Sequence, residues 1–208
     1  MYIIGLTGGI ACGKSAVSET LKKYGAAVLD VDEVTRKLLE PGESLFNAYV
    51  RHFGNYILKD DGQLNKRLIR EIIFNHPDER LWINDTAHPI LQNFVRDFLE
   101  KCQAEGKSLV VLEIPLIFEA GWDKEVDEVW AVYIRKNYQL RRLMERDKIN
   151  RKQALSIINS QMPTKKICAR ADVVICNNKT PKYVREQVGE ILSKRFGFSL
   201  PSPKEKDL

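Results

Sequence analysis

At 208 residues, 44% of them apolar and 29% charged, the chain is long enough for one sizeable core, and its composition excludes a disordered or fibrous protein. The net charge of +5 is mild and both signs are mixed along the chain, which suits an anionic substrate and gives no reason to invoke nucleic acid. No apolar run approaches the about 20 residues of a membrane span, and the scattered Cys12, Cys102, Cys168 and Cys176 lack the spacing of a zinc site or disulfide framework. With no signal-peptide pattern at its start, the chain is expected to be cytoplasmic and reduced, with no membrane partner.

Tyr2-Ile3-Ile4-Gly5-Leu6-Thr7 reads as a short buried strand. It runs into Gly8-Gly9-Ile10-Ala11-Cys12-Gly13-Lys14-Ser15, which fits the phosphate-binding pattern G-x-x-x-x-G-K-[ST] of a P-loop. Beyond it Val17, Leu21 and Tyr24 recur at helical spacing, with Ala16 and Thr20 beside them. Strand, glycine loop and helix is the order the chemistry needs. Glycines let backbone N–H groups turn inward around a polyphosphate, at a helix N-terminus whose dipole favours anions. Lys14 is expected to reach the β- and γ-phosphates and Ser15 to hold magnesium. The chain should bind a nucleoside triphosphate.

A second strand is expected at Ala26–Asp30, then a helix through Val34, Leu38 and Leu39 that stops at Pro41-Gly42. Phe46, Tyr49, Val50 and Phe53 keep helical spacing, and Asp60-Asp61-Gly62 is a turn. Leu64 to Phe74 and Glu79 to Ala87 read as helices, and Pro89 suits the first turn of another, capped at its end by Gly106. Ser108 to Ile114 is a nearly continuous apolar run, as a central strand buried on both faces should be. Another strand follows at Val129 to Ile134, then a helix from Asn137 to Arg146 and two basic helices. A short strand at Asp172–Ile175 and a long helix from Pro181 to about Phe196 complete the pattern, and the tail from Ser199 is expected to be disordered. Strands alternating with helices mark an α/β fold with a parallel sheet. Residues 40 to 105 carry no convincing strand, so this stretch reads as a helical insertion that holds a second substrate.

Guanine-specific switches carry N-K-x-D after a late strand, but here Asn178-Lys179-Thr180-Pro181 puts proline where the carboxylate is needed. Motor ATPases need more chain. A small phosphotransferase remains, which requires an acceptor for the hydroxyl proton of its substrate. Asp30 and Asp32 stand at the end of the second strand, where one may cap the next helix and the other act as base; Asp32 is the stronger chemical candidate.

These residues resemble the dephospho-CoA kinase family. The resemblance rests on Gly5 to Ser15, Leu29-Asp30-Val31-Asp32, Glu40-Pro41-Gly42, His88-Pro89-Ile90 and Pro115-Leu116-Ile117-Phe118-Glu119. It continues through Arg146-Asp147, Gln161-Met162-Pro163 and Ala171 to Ile175, in order from about residue 3 to residue 195. The resemblance implies transfer of the ATP γ-phosphate to the ribose 3′-hydroxyl of dephospho-CoA, the last step of coenzyme A synthesis. It implies a three-layer P-loop fold like that of nucleoside monophosphate kinases. One kinase domain would span residues 1–200: a core of 1–40, 106–136 and 170–197, an acceptor-binding insert of about 41–105, and a lid of about 137–169.

Carried over by residue, the resemblance implies that Ala11, Cys12, Gly13, Lys14, Ser15 and Ala16 wrap the ATP phosphates, with magnesium at Ser15. It makes Asp32 the catalytic base and puts His88, Pro89 and Lys66 on the acceptor side. Arg141, Arg142, Arg146 and Arg151 fall in the lid and its approach, Arg146 being the favoured catalytic arginine because planar donors stabilise spreading phosphoryl charge. Asn177 is either an adenine contact or a turn-forming residue. A monomer or weak homo-oligomer is expected.

Some residues depart from the family pattern. Ala11 and Cys12 replace the usual glycine and serine, so the loop is expected to hold Ala11 in an ordinary backbone region. Cys12, at a helix N-terminus near Lys14, is expected to have a lowered thiol pKa, with oxidation or alkylation blocking ATP binding; the plainer reading is an unreactive small residue. Lys66 replaces a common arginine and Cys176 a common aspartate. Glu113 occupies a frequent aspartate position, where a carboxylate would orient magnesium through water. Two rival functions stay open: a kinase of the same fold with another acceptor, such as a nucleoside monophosphate, and a non-enzymatic ATP-driven switch.

Overall fold

In a computed structural model that describes residues 1–198, five strands form one sheet; the expectation for the tail from Ser199 lies outside the described residues. The strands are β1 (Tyr2–Thr7), β2 (Ala27–Asp30), β3 (Leu109–Glu113), β4 (Glu128–Tyr133) and β5 (Val173–Cys176), in the order β2-β3-β1-β4-β5. β1 is central, pairing in parallel with β3 (Ile4 opposite Val111) and with β4 (Leu6 opposite Trp130), and β4 pairs in parallel with β5. All five residues of β3 are buried, which explains its unbroken apolar run.

The chain forms two compact units, one of residues 1–29 with the chain from Cys102 onward, the other Asp30–Lys101. In the first unit, α1 (Lys14–Lys23) and α9 (Pro181–Phe196) bring Val17, Leu21, Val184, Val188 and Leu192 into one core with Ile4, Leu6, Val111, Trp130, Val132 and Ile175. α9 begins where its chemistry dictates: the Thr180 hydroxyl accepts from the Tyr183 N–H, and Pro181 occupies the first turn. The partial N-K-x-D match is thus the cap of a helix. Three further helices, α6 (Lys136–Asp147), α7 (Arg151–Asn159) and α8 (Thr164–Arg170), follow β4. Leu140, Leu143 and Ala154 close α6 on α7, and Asn150 with Gln153 caps α7 reciprocally.

The second unit holds α2 (Val31–Leu38), α3 (Ser44–Phe53), α4 (Lys66–Asn75) and most of α5 (Pro77–Ala104). Tyr49 and Phe53 of α3 pack on Trp82 of α5, while His52 stacks on Trp82 at 3.7 Å and bonds Glu79 at 2.7 Å. The Asp60-Asp61-Gly62 turn joins Leu58 to Leu64 in an isolated antiparallel bridge.

The structure corrects one boundary. Pro89 does not start a helix; α5 is continuous over 28 residues with Pro89 inside it, and begins at Pro77 instead. An interior proline costs about 3 kcal/mol or more in a lost N–H bond and a clash with the preceding turn. Here the helix has long flanks on both sides, anchored by the buried Ile83 and Val95, which offset that cost. Its end is as expected. Gly106, at φ 68°, donates to the Gln103 carbonyl and Lys107 donates to the Cys102 carbonyl, a Schellman closure that needs a left-handed residue.

Candidate nucleotide-binding site

The P-loop follows directly on Thr7, the last residue of the central strand, and ends in the first turn of α1. A sheet carries its ligand sites at the carboxyl ends of its strands, so topology alone marks this loop. Gly13 precedes α1 in the left-handed region (φ 89°, ψ 39°), and a Cβ there would collide with the Asn177 amide. Only glycine serves. The half-buried Lys14 lies in the first turn of α1 and its Nζ donates to the Gly8 carbonyl at 3.2 Å, which folds the ammonium back over the loop. Ser15 and Ala16, next in that turn, are exposed.

Two expectations for this loop are overturned. Ala11 does not sit in an ordinary backbone region: its φ is 57°, left-handed, where a Cβ costs about 1–2 kcal/mol. The loop requires the turn that glycine supplies in relatives, and this chain makes it with alanine. Cys12 has no lowered thiol pKa. Its side chain is 1% exposed within the core, and burial pushes the thiol up against the weaker pull of Lys14 and Arg142. A buried neutral thiol is a poor nucleophile. Iodoacetamide is therefore expected to leave Cys12 unmodified in the folded protein and to label it in denaturant, as peptide mass spectrometry would read. Rapid labelling under native conditions would contradict this.

Around the loop the structure assembles residues that the sequence left scattered. Asn177, 5% exposed at the end of β5, donates from Nδ2 to the Cys12 carbonyl at 2.8 Å, and its own N–H bonds the Tyr133 carbonyl. The side chain braces the P-loop. Arg142 of α6 reaches the Asn177 carbonyl at 3.5 Å, and its guanidinium is 3.4 Å from where a Cβ on Gly13 would stand. Arg146, the favoured arginine, engages its fork with the adjacent Asp147 at 2.6 and 3.0 Å; that pairing holds its pKa up and that of Asp147 down. Arg141 pairs with Glu145 at 3.7 Å, and Arg151 is exposed at the start of α7. Arg142 is the arginine beside the loop, a distinction that depends on helix phase rather than residue type. Gln139 and Gln161 also touch the loop, at Ile10. Gln161 lay in a recognisable motif without a role, and nothing in the sequence marked Gln139.

In the second unit, the Asp30 carboxylate caps α2 by accepting from the Glu33 N–H at 3.0 Å. Asp32 is exposed in the first turn of the same helix, so the two aspartates divide into cap and candidate base. Lys66 is exposed at the start of α4, His88 is half-buried and Pro89 exposed in mid α5. Glu113 is buried at the end of β3, 9% exposed. All four cysteines are free. No helix among the described residues is long and apolar enough to cross a membrane.

Comparison with known proteins agrees with this geometry. The family described as "CoaE: Dephospho-CoA kinase" matches residues 2–182. A dephospho-CoA kinase of Carboxydothermus hydrogenoformans is 40% identical over 192 residues, 92% of this chain and 93% of the relative. Among solved structures, one from Thermus thermophilus superposes with a TM-score of 0.81 at 27% identity, covering 93% of this chain and 97% of that one. A dephospho-CoA kinase from Campylobacter jejuni does so with a TM-score of 0.65 at 25% identity, covering 92% and 96%. With a P-loop on the central strand and a family match across most of its length, the chain belongs to the dephospho-CoA kinase family, the phosphotransferases of coenzyme A biosynthesis.

Proposed function

We propose that the chain transfers the ATP γ-phosphate to the ribose 3′-hydroxyl of dephospho-CoA by direct in-line displacement, giving coenzyme A and ADP without a covalent enzyme intermediate. The observation that carries this reading is the P-loop itself, with Lys14 folded over a loop that opens on a helix N-terminus. Residues Ala11 to Ala16 hold the triphosphate, and Lys14 neutralises charge on its β- and γ-phosphates. Asp32 accepts the proton of the 3′-hydroxyl, while Lys66, His88 and Pro89 bind the acceptor. Arg142 stabilises charge on the transferring phosphoryl group, with Arg146 one turn further along α6. Residues of about 41–105 form the acceptor-binding insert, and about 137–169 form a lid that excludes water.

Magnesium fits the groups present. The exposed Ser15 hydroxyl and the Glu113 carboxylate are hard oxygen donors, and this ion keeps waters and substrate phosphates as its remaining ligands. Bound there, it would neutralise charge between the β- and γ-phosphates. Among the described residues no cluster of three or more His, Cys, Asp or Glu side chains forms a metal group of its own, and this mode of binding needs none. The free cysteines suit a reduced cytoplasmic setting, and the chain acts as a monomer or weak homo-oligomer without nucleic-acid or membrane partners.

The test is ADP release with ATP and magnesium, comparing dephospho-CoA with AMP, CMP and adenosine, with mass detection of the product. Coenzyme A from dephospho-CoA alone is the expected result. A phosphorylated nucleotide would reassign the acceptor, and no product from any acceptor would leave nucleotide binding without transfer.

A further inference from the structure

One residue of the P-loop has both its backbone groups taken by distant side chains. The Ile10 N–H donates to Gln161 Oε1 at 2.8 Å, and Gln139 Nε2 donates to the Ile10 carbonyl at 2.9 Å. Gln139, 3% exposed, projects from α6 and leaves no room for a Cβ on Gly9; the half-buried Gln161 lies between α7 and α8. Ile10 and Ala11 also pack against Leu140, Leu143 and Ala154.

The next residue is the strained one. Ala11 holds φ at 57° in spite of its Cβ, a conformation that persists only when its surroundings over-determine it. Fixing the two peptide groups of Ile10 does this from one side, and the Asn177 bond to the Cys12 carbonyl does it from the other. Glutamine is chemically apt for both positions. It supplies a donor at 139 and an acceptor at 161, and neither adds charge beside a triphosphate. A carboxylate at 161 would accept the same bond and repel the nucleotide.

We propose that Gln139 and Gln161 are positioning residues for phosphoryl transfer: they hold the Ile10 peptides so that Ala11 keeps its left-handed turn and the loop its nucleotide-binding shape. The proposal rests on the P-loop being the ATP site. Gln161→Met and Gln139→Met keep side-chain length and remove the hydrogen bond. Each is compared with wild type by calorimetric titration of ATP with magnesium, by steady-state kinetics with each substrate varied, and by thermal melting.

The expected result is a rise of about tenfold in Kd and KM for ATP, the scale of one lost buried hydrogen bond, with KM for dephospho-CoA and the melting temperature near wild type. Adding Ala11→Gly to Gln161→Met is expected to restore most of that affinity, because glycine adopts positive φ freely. Unchanged ATP affinity in Gln161→Met would overturn the proposal. So would a loss that tracks a lowered melting temperature and is not relieved by Ala11→Gly, since the glutamines would then be structural only. If Gln139→Met does not fold, Gln161→Met with and without Ala11→Gly decides the matter. Wild-type protein that binds no ATP would sink the reading of the loop as the ATP site, and this proposal with it.

Discussion

Lys14→Ala is expected to abolish coenzyme A formation, with kcat falling by roughly 10²–10³-fold or more, the scale of one lost preorganised donor to developing charge. The argument starts from position. Lys14 opens α1, and its ammonium is already bent over the loop onto the Gly8 carbonyl in the structure without nucleotide. Phosphoryl transfer leaves little covalent chemistry to the protein, so charge stabilisation carries most of the barrier reduction. Alanine at the first helical position is a good helix former, and the half-buried site leaves the Gly8 carbonyl access to water. The melting temperature should therefore move little while turnover is lost, as a paired melt and product assay would show. A variant that keeps normal turnover would remove Lys14 from the chemistry.

Asp32→Asn is expected to lower turnover by about 10²-fold or more while ATP binding is spared, the scale of a lost general base. The division of labour between Asp30 and Asp32 makes the experiment clean. Asp30 caps α2, so replacing Asp32 leaves the cap in place and forfeits only about 0.3–1 kcal/mol of favourable interaction with the helix dipole. Asp30→Asn is the matched control: asparagine caps as well as aspartate, and both fold and turnover should persist. Steady-state kinetics on the two variants, with ATP titrated by calorimetry, separates base from cap. Normal turnover in Asp32→Asn would end its role as base.

Much of the architecture could be read from local patterns. β3 is an unbroken apolar run because both its faces are covered, and α9 announces itself through Thr180 and Pro181. Gly106 marks the end of α5 because a Schellman closure needs a left-handed residue there. The misread start at Pro89 has a physical cause. A proline is equally suited to the first turn of a helix and, at a cost, to the interior of a long one, and the choice depends on anchoring by distant packing.

The loop residues make the same point at the site. Gly13 could be understood locally, since its backbone angle excludes a Cβ. Ala11 could not, because alanine prefers negative φ and only the bonds on Ile10 and Cys12 over-determine the turn. The thiol of Cys12 was read from its charged neighbours, whereas burial in the sheet core dominates them. Arg142 and Arg146 are alike in sequence and one helical turn apart, yet one reaches the loop and the other pairs with Asp147.

The sequence by itself determined the P-loop, the alternation of strands and helices, and the family, because these are set by residue type, spacing and order along the chain. Tertiary structure decided which side chains converge on the loop. Ile10 meets Gln139 and Gln161 across 129 and 151 residues, and Cys12 meets Asn177 across 165. Contacts of that separation follow from sheet order and helix packing, and a linear pattern carries no distance across them.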